Sequence, residues 1–221
     1  MSDNAQRTNI FTKAIIEPFE LHHAEYEKWF EKNTSAYQSE LAALRWFVPM
    51  QGRGIEIGVG SGRFASPLGI DIGIDPSPKM GRMARSRGLE VLDAIAEALP
   101  FRNGSFAFAL MVTTVCFLRD VEAALKEAYR VLKPSGSVII GFIDKDGPLG
   151  ISYRDRKNES AFYSLATFYS VSDMVARLEK AGFKHFSLVQ TLFHSLTELT
   201  DIEPVRAGYG QGAFVVIRAR K

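Results

Sequence analysis

The residues best suited to chemistry lie in Ile55-Glu-Ile-Gly-Val-Gly-Ser-Gly-Arg63 and, one apolar run later, in Gly73-Ile-Asp-Pro-Ser77. Gly58, Gly60 and Gly62 stand at alternate positions directly after the first run. Lacking a Cβ, the backbone there can turn sharply and lie flat against a ligand. Asp75 closes the second run, where a nucleotide-binding α/β fold places the carboxylate that holds a ribose. A strand, a glycine turn, a short helix and an acid at the next strand end together point to an adenosine-containing cofactor. The spacing also separates cofactor types. A dinucleotide site wants G-x-G-x-x-G, whose third glycine would fall at Arg63, and its pyrophosphate wants a longer helix N-terminus than Ser61–Pro67 offers. A NAD-dependent oxidoreductase is therefore the weaker reading.

Such residues need a sheet to position them, and the chain supplies one. Five apolar runs alternate with helical patterns: Gly54–Ile57, Asp71–Ile74, Leu89–Leu92, Phe106–Val112 and Ser137–Ile143 are expected strands. Between them, Ser61–Pro67 is expected as a short helix, Ser77–Ser86 as a helix opened by Pro76 and Pro78, Ala94–Ala98 as a turn, and Asp120–Leu132 as a helix. Phe106–Val112 hardly alternates, which fits a strand covered on both faces. This order argues a parallel sheet with right-handed crossovers. Val171–Ala181 follows as a helix between Ser170 or Ser172 and Gly182, then Phe186–Leu192 and Ala213–Arg218 as closing strands. Residues 10–47 carry helical spacing, with breaks expected at Pro18 and at Asn33-Thr34-Ser35. The expected organisation is a helical N-terminal cap over residues 1–48 and a core over 49–221, with an insertion at about 147–168.

Composition narrows the class. The chain has 221 residues, enough for one α/β domain with additions, and a net charge of only +2, which demands no nucleic-acid partner. Its single cysteine, Cys116, allows no intrachain disulfide or cysteine-based zinc cluster and fits a reducing cytoplasm. His22, His23, His185 and His194 lack metal-ligand spacing, so no metal is expected. The N-terminus is polar and no apolar run could span a bilayer, so the expectation is a soluble, cytoplasmic protein.

The motifs resemble the class I S-adenosylmethionine-dependent methyltransferases, in particular the quinone-biosynthesis-like, small-molecule (methyltransferase type 11) branch. Glu56-Ile-Gly-Val-Gly-Ser-Gly62 looks like that family's acidic glycine motif, Gly73-Ile-Asp75 like its second motif, and Ala96-Glu-Ala-Leu-Pro-Phe101 like its adenine-side turn. Phe106-Ala-Phe-Ala-Leu and Ala124-Leu-Lys-Glu-Ala-Tyr-Arg-Val-Leu-Lys-Pro-Ser-Gly136 resemble its fourth strand and the helix and turn that follow. The match covers residues 50–143. It departs at Ile95, where the family usually has aspartate, at Ala107, at Ser135, and at Phe117 or Leu118 in place of a common histidine. The resemblance implies a Rossmann-like, doubly wound sheet of about seven strands with an antiparallel last strand. The implied activity moves a methyl group from the sulfonium to N, O or C of a small-molecule acceptor by in-line displacement. A non-catalytic adenosylmethionine-binding interaction module is the alternative; nucleic acid and membrane are not expected partners, and the oligomeric state is open.

The expected cofactor-binding residues are Glu56, Gly58, Gly60, Gly62, Asp75, Pro76, Met80, Ala96, Glu97 and Thr113. Asp75 either accepts both ribose hydroxyls or caps the following helix. Glu56 either holds the glycine loop or faces the cofactor's ammonium. Met80 packs on the adenine or in the core, Ala96 and Glu97 reach the adenine edge chiefly through backbone, and Thr113 stands near the methionine portion or has no part in it. Tyr26, Trp29 and Tyr37, with Phe30, form a lid or simply an amphipathic packing face. Displacement at a sulfonium needs placement and dryness more than a catalytic group, so no catalytic residue is assigned. Candidate bases or acceptor contacts are Asp144 beside Asp146, and Tyr209 in a loop with His194, Glu198, Asp201 and Glu203; each could equally be a solvated loop residue.

Overall fold

The computed structural model describes residues 13–147, 150–151, 155 and 160–221. Three helices come first: α1 over residues 13–21, α2 (His23–Lys32) and α3 (Thr34–Arg45). The expected break at Pro18 is corrected: the chain is helical through it and breaks at His22 instead. Proline lacks a donor, but its carbonyl still accepts, here from His22 N at 2.8 Å. The break at Asn33 is present, with the Asn33 amide donating to Trp29 O at 2.9 Å and competing with the helix for that carbonyl.

The core then runs β1 (Gly54–Ile57), β2 (Ile72–Ile74), α4 (Pro78–Ser86), β3 (Glu90–Leu92), β4 (Phe106–Val112), α5 (Val121–Val131), β5 (Leu132–Ile143), α6 (Val171–Ala181), β6 (Lys184–Thr191), β7 (Arg206–Ala207) and β8 (Phe214–Arg220). The strands form one sheet in the order β3-β2-β1-β4-β5-β8-β6-β7. Strands β3, β2, β1, β4 and β5 are parallel, and β8 inserts antiparallel between β5 and β6. The expected seven strands become eight through β7, two exposed residues paired antiparallel to β6 at the sheet edge.

Local chemistry explains most element boundaries. Ser77 caps α4 by accepting from Met80 N at 3.2 Å, with Pro78 at the first helical position. Asp120 caps α5 through Ala123 N at 2.9 Å, and Ser170 and Asp173 form a capping box on α6, which ends at left-handed Gly182. Two expectations are corrected. Ser61–Pro67 is not a helix: positive φ at Gly60 and Gly62 turns the chain, and only Ser66–Leu68 closes one 3₁₀ turn. β5 begins at Leu132 rather than Ser137, because Phe106 pairs with Leu132 before Lys133–Gly136 bulges out through left-handed Ser135 and pairing resumes at Phe108–Ser137.

Apolar layers cover both faces of the sheet. Ile55, Ile57, Ala109, Met111, Val138 and Ile140 pack beneath α5 and α6, while Phe108, Leu110, Val112 and Ile139 pack beneath α3 and α4. The order reverses between β1 and β4, so a crevice opens at their carboxyl ends. The glycine loop leaves β1 on one side of it and Thr113 leaves β4 on the other. Among the described residues no helix is long and apolar enough to cross a membrane.

The position of the crevice depends on α5 seating firmly under the sheet. Leu125 is fully buried in that layer, so Leu125→Ala is expected to cost about 2–5 kcal/mol in a urea titration. A loss below about 1 kcal/mol would show that the layer repacks freely.

Candidate functional site

The site starts from a backbone shape. Gly58 has φ +75°, and a Cβ there would lie 2.4 Å from Thr114 Cγ2, so both conformation and space require glycine. Gly60 has φ +53°, and a Cβ on it would come within 3.3 Å of Tyr26 Oη and 3.7 Å of Met80 Cε. The loop is bound to β2 through Gly58 N and Val59 N, which both donate to Ile74 O at 2.9 Å. It is bound again by Asp75, whose Oδ2 accepts from Gly60 N and Oδ1 from Ser77 N, each at 2.8 Å. Asp75 does not cap α4; Ser77 does. Burial pushes the Asp75 carboxyl up to about 6, against the opposing pull of those two N–H donors.

The N-terminal helices are clasped to this loop. On α1, Glu20 Oε1 accepts from Ser77 Oγ at 2.5 Å and Lys79 N at 2.9 Å, while Lys79 Nζ donates to Glu20 O at 2.7 Å. On α2, Glu27 Oε2 receives Arg63 and Arg87, each at 2.6 Å, and Arg87 also donates to Ser61 O. On α3, the Tyr37 hydroxyl donates to Arg63 O. Arg63, the residue that breaks a dinucleotide motif, is thus an anchor for the helices above it.

These contacts wall a half-open cavity of about 680 Å³, within the usual ligand range of roughly 300–1,000 Å³. Gly58, Gly60, Asp75, Pro76, Met80, Ala96, Glu97 and Thr113 line it, as do Tyr26 and Trp29. Ile74, Met80, Ile95 and Leu118 offer apolar surface beside Asp75 and the Ala96–Glu97 backbone, a donor and wall set that fits an adenosine. Glu97 also works structurally: its Oε1 accepts from Arg119 N at 3.1 Å and Asp120 N at 3.2 Å. Thr113 holds φ +48°, with its N–H on Gly141 O at 2.8 Å, a strained conformation at the mouth of β4.

Five expected residues do not line the cavity. Glu56 lies beneath the loop, 1% exposed, with Oε2 lacking a hydrogen-bond partner; burial, with the Asp75 charge adding, holds its carboxyl well above the usual range. Gly62 packs against Ala84 of α4, and Tyr37 is spent on Arg63 O and the rings of Phe30 and Phe64. Asp144 is buried in a turn, accepting from Asp146 N at 3.2 Å. Tyr209 is exposed beyond β7. From that same loop it is Ser195, Leu196 and Thr197 that reach the wall. Part of the expected insertion lies outside the described residues, but its Ser160, Phe162 and Tyr163 line the cavity too.

Sequence reasoning missed Glu40. It lines the cavity from α3, is 4% exposed, and has no hydrogen-bond or ion-pair partner among the described residues. Burial alone pushes its carboxyl up to about 8. A signal was available: Ala36, Glu40 and Leu44 share one helical stripe, so an acid sits on the buried face. Close by in charge is Tyr26, whose hydroxyl is held well above its ordinary value by burial first and then by Glu56, Asp75, Glu27 and Glu40.

A pH dependence follows. The folded Glu40 carboxyl titrates near 8 against 4.5 for the free group, so the folded chain holds a proton that the unfolded chain releases. Its contribution to stability therefore falls as pH rises from about 4.5 to 8. Glu40→Gln removes that fall. In ligand-free thermal melts, the variant's Tm relative to the native chain should climb steadily between pH 5 and 8, and a constant difference would contradict the assignment.

With this geometry in view, similarity to known proteins identifies the family. A methyltransferase domain model matches residues 55–140. The solved structure of a SAM-dependent methyltransferase from Thermotoga maritima, described as a possible histamine N-methyltransferase, is 52% identical, with a TM-score of 0.91 over 93% of this chain and 99% of that one. An uncharacterized protein of Methanocaldococcus jannaschii is 43% identical over 203 residues, 92% of this chain and 98% of that protein. The ubiquinone/menaquinone biosynthesis C-methyltransferase of Rickettsia typhi is 34% identical over 97 residues, 43% of this chain and 36% of its own length. The glycine loop, the acid at the end of β2 and the sheet with its antiparallel β8 are therefore those of a family to which this chain belongs, the S-adenosylmethionine-dependent methyltransferases.

Proposed function

We propose that the chain methylates a small molecule bound in the cavity beside the cofactor, with helices α1–α3 acting as the cap and residues 49–221 as the core. The observation that carries this is the deep, half-open cavity itself, lined by Asp75 after β2, Gly58, Thr113, Ile143 on β5 and Ser195–Thr197 after β6. In this reading Asp75 uses its remaining lone pairs for the ribose hydroxyls, and Ile74, Met80 and Ile95 hold the adenine. Ala96 and Glu97 offer backbone groups at its edge. Glu56 acts from below by fixing the loop. The bound cofactor supplies an electrophilic methyl group on a sulfonium.

What the protein adds is placement and exclusion of water. Tyr26, Trp29, Phe30 and Phe162 close the wall opposite the strand ends, and the Glu20 and Glu27 clasps keep α1 and α2 over the loop. A dry, pre-shaped site favours an in-line displacement, which spreads charge rather than creating it and needs an aligned nucleophile about 3 Å away. A recessed cavity of this size suits a small acceptor better than a folded macromolecule. The Thermotoga relative's description and the partial match to a C-methyltransferase both support a small-molecule acceptor.

Calorimetry with S-adenosylmethionine, S-adenosylhomocysteine and NADH tests the reading. The first two should bind and NADH should not. Asp75→Ala should weaken both by about 10- to 100-fold, the worth of charge-assisted hydrogen bonds of about 1.5–3 kcal/mol. Unchanged affinity in the variant would remove Asp75 from the site.

A further inference from the structure

Among the described residues Glu40 forms no ion pair, caps no helix and receives no hydrogen bond, yet it is 96% removed from solvent on a cavity wall. A carboxyl kept there without a partner costs several kcal/mol in its charged form. A leucine or glutamine at the same place in the Ala36–Glu40–Leu44 stripe would pack without that cost. Burial therefore keeps the carboxyl protonated below about pH 8, and an arriving cation is what stabilises the charged form.

We infer that the methyl acceptor is an amine and that Glu40 is the carboxylate that binds its ammonium form and takes its proton. This rests on the reading of the cavity as a joint cofactor and acceptor site. Three observations favour the acceptor over the cofactor as the source of the cation. The residues suited to the nucleoside sit on β2, α4 and the turn after β3, on one side of the switch point. Glu40 comes from α3, which packs on β5, β6 and β8 on the other side. The apolar cluster around α3 also takes in Ile143 and Leu196, cavity-wall residues without charge.

The surrounding rings suit a cation as well. Tyr26, Trp29 and Phe30 of α2 line the cavity, with Tyr26–Phe30 and Trp29–Phe30 in edge contacts at 5.2 Å. Aromatic faces attract an ammonium, most strongly where water is excluded. A neutral quinol or alcohol would gain from the rings and could donate one O–H to the carboxyl, but it would bring no positive charge to stabilise the carboxylate.

Proton transfer is what makes the pairing chemically useful. An alkylammonium has no lone pair and cannot attack. On the wall, the ammonium gives one proton to the Glu40 carboxylate, leaving a neutral amine beside a carboxylic acid. The freed lone pair then forms the N–C bond as the C–S bond breaks, with its electron pair staying on sulfur and the positive charge passing to nitrogen. Below about pH 8 Glu40 is protonated before the acceptor binds, so the net proton goes to water as the ammonium binds, and Glu40 keeps the transferred proton when the methylated ammonium leaves. Burial raises the carboxyl to about 8, towards the range of an alkylammonium near about 10.4, so the transfer is not steeply uphill.

The test uses the full chain, native and Glu40→Gln, with equal folding checked by thermal melt. Calorimetry measures S-adenosylhomocysteine, which carries an ammonium, and methylthioadenosine, which does not. With the first bound, a panel of primary alkyl and arylalkyl amines is titrated, each beside the alcohol of the same skeleton. The inference expects nucleoside affinities within about twofold in the variant, amines binding the native chain at least tenfold better than their alcohols, and that preference lost in Glu40→Gln. Weakened binding of S-adenosylhomocysteine with methylthioadenosine unchanged would assign Glu40 to the cofactor's own ammonium and overturn it. Equal binding of amines and alcohols, or no amine binding, would overturn it too. Failure of S-adenosylhomocysteine to bind the native chain would sink the cofactor reading instead.

Discussion

One carboxylate holds the site together. Asp75 accepts from Gly60 N with one oxygen and from Ser77 N with the other, tying the loop after β1 to the start of α4. A buried acid without those donors would be neutral and would leave two backbone N–H groups unpaired, each a loss of about 1–3 kcal/mol. With them, the loop takes left-handed turns at Gly58 and Gly60, which only glycine adopts freely, and its backbone comes flush with the cavity. Ser77 is then free to cap α4, and Met80 of that helix becomes a wall of the same cavity. Loop, helix and wall follow from the placement of a single side chain at the end of a three-residue strand.

The helical cap depends on the same region. Glu20 reaches the first turn of α4, Glu27 gathers Arg63 and Arg87, and Tyr37 takes the carbonyl of Arg63. Each contact joins an N-terminal helix to the glycine loop or to the helix after β2. Because these groups are polar and partly solvated, they hold register more than they add stability. The apolar share falls to Phe30, Phe64 and the neighbouring rings, which pack edge to face. The outcome is a site whose charged residues are mostly paired at its rim, with Glu40 inside it unpaired among the described residues.

Much of this was legible because it rests on local rules. Alternating glycines after an apolar run, an acid at the next strand end, Ser77 before a proline and Gly182 after a helix each carry their meaning in a few residues. What was hidden depends on long-range packing. The start of β5 at Leu132 needs Phe106 as partner, and the bulge at Lys133–Gly136 exists only because pairing resumes at Phe108. The Ser61–Pro67 helix is expected from its place after the glycine turn, but its Gly, Ser and Pro residues are weak helix formers and the left-handed turns at Gly60 and Gly62 win. Tyr209 and Asp144 have the chemistry of site residues, yet the hairpin carries one to the surface and a turn buries the other, while unremarkable Ser195–Thr197 reaches the wall. Glu40 is legible only as an acid on an apolar stripe, a signal weaker than the aromatic residues beside it, because its meaning depends on the cavity that the folded cap creates.

The central claim is that the space between the glycine loop and the cap helices holds an adenosine at the β2 end and an acceptor at the β5 end. A crystal structure with S-adenosylhomocysteine tests it most directly. The account predicts the ribose hydroxyls on Asp75, the adenine between Met80 and Ile95, and Glu40 facing an unfilled space beyond the sulfur. A nucleoside bound elsewhere, or a ligand whose ammonium fills the space at Glu40, would contradict it.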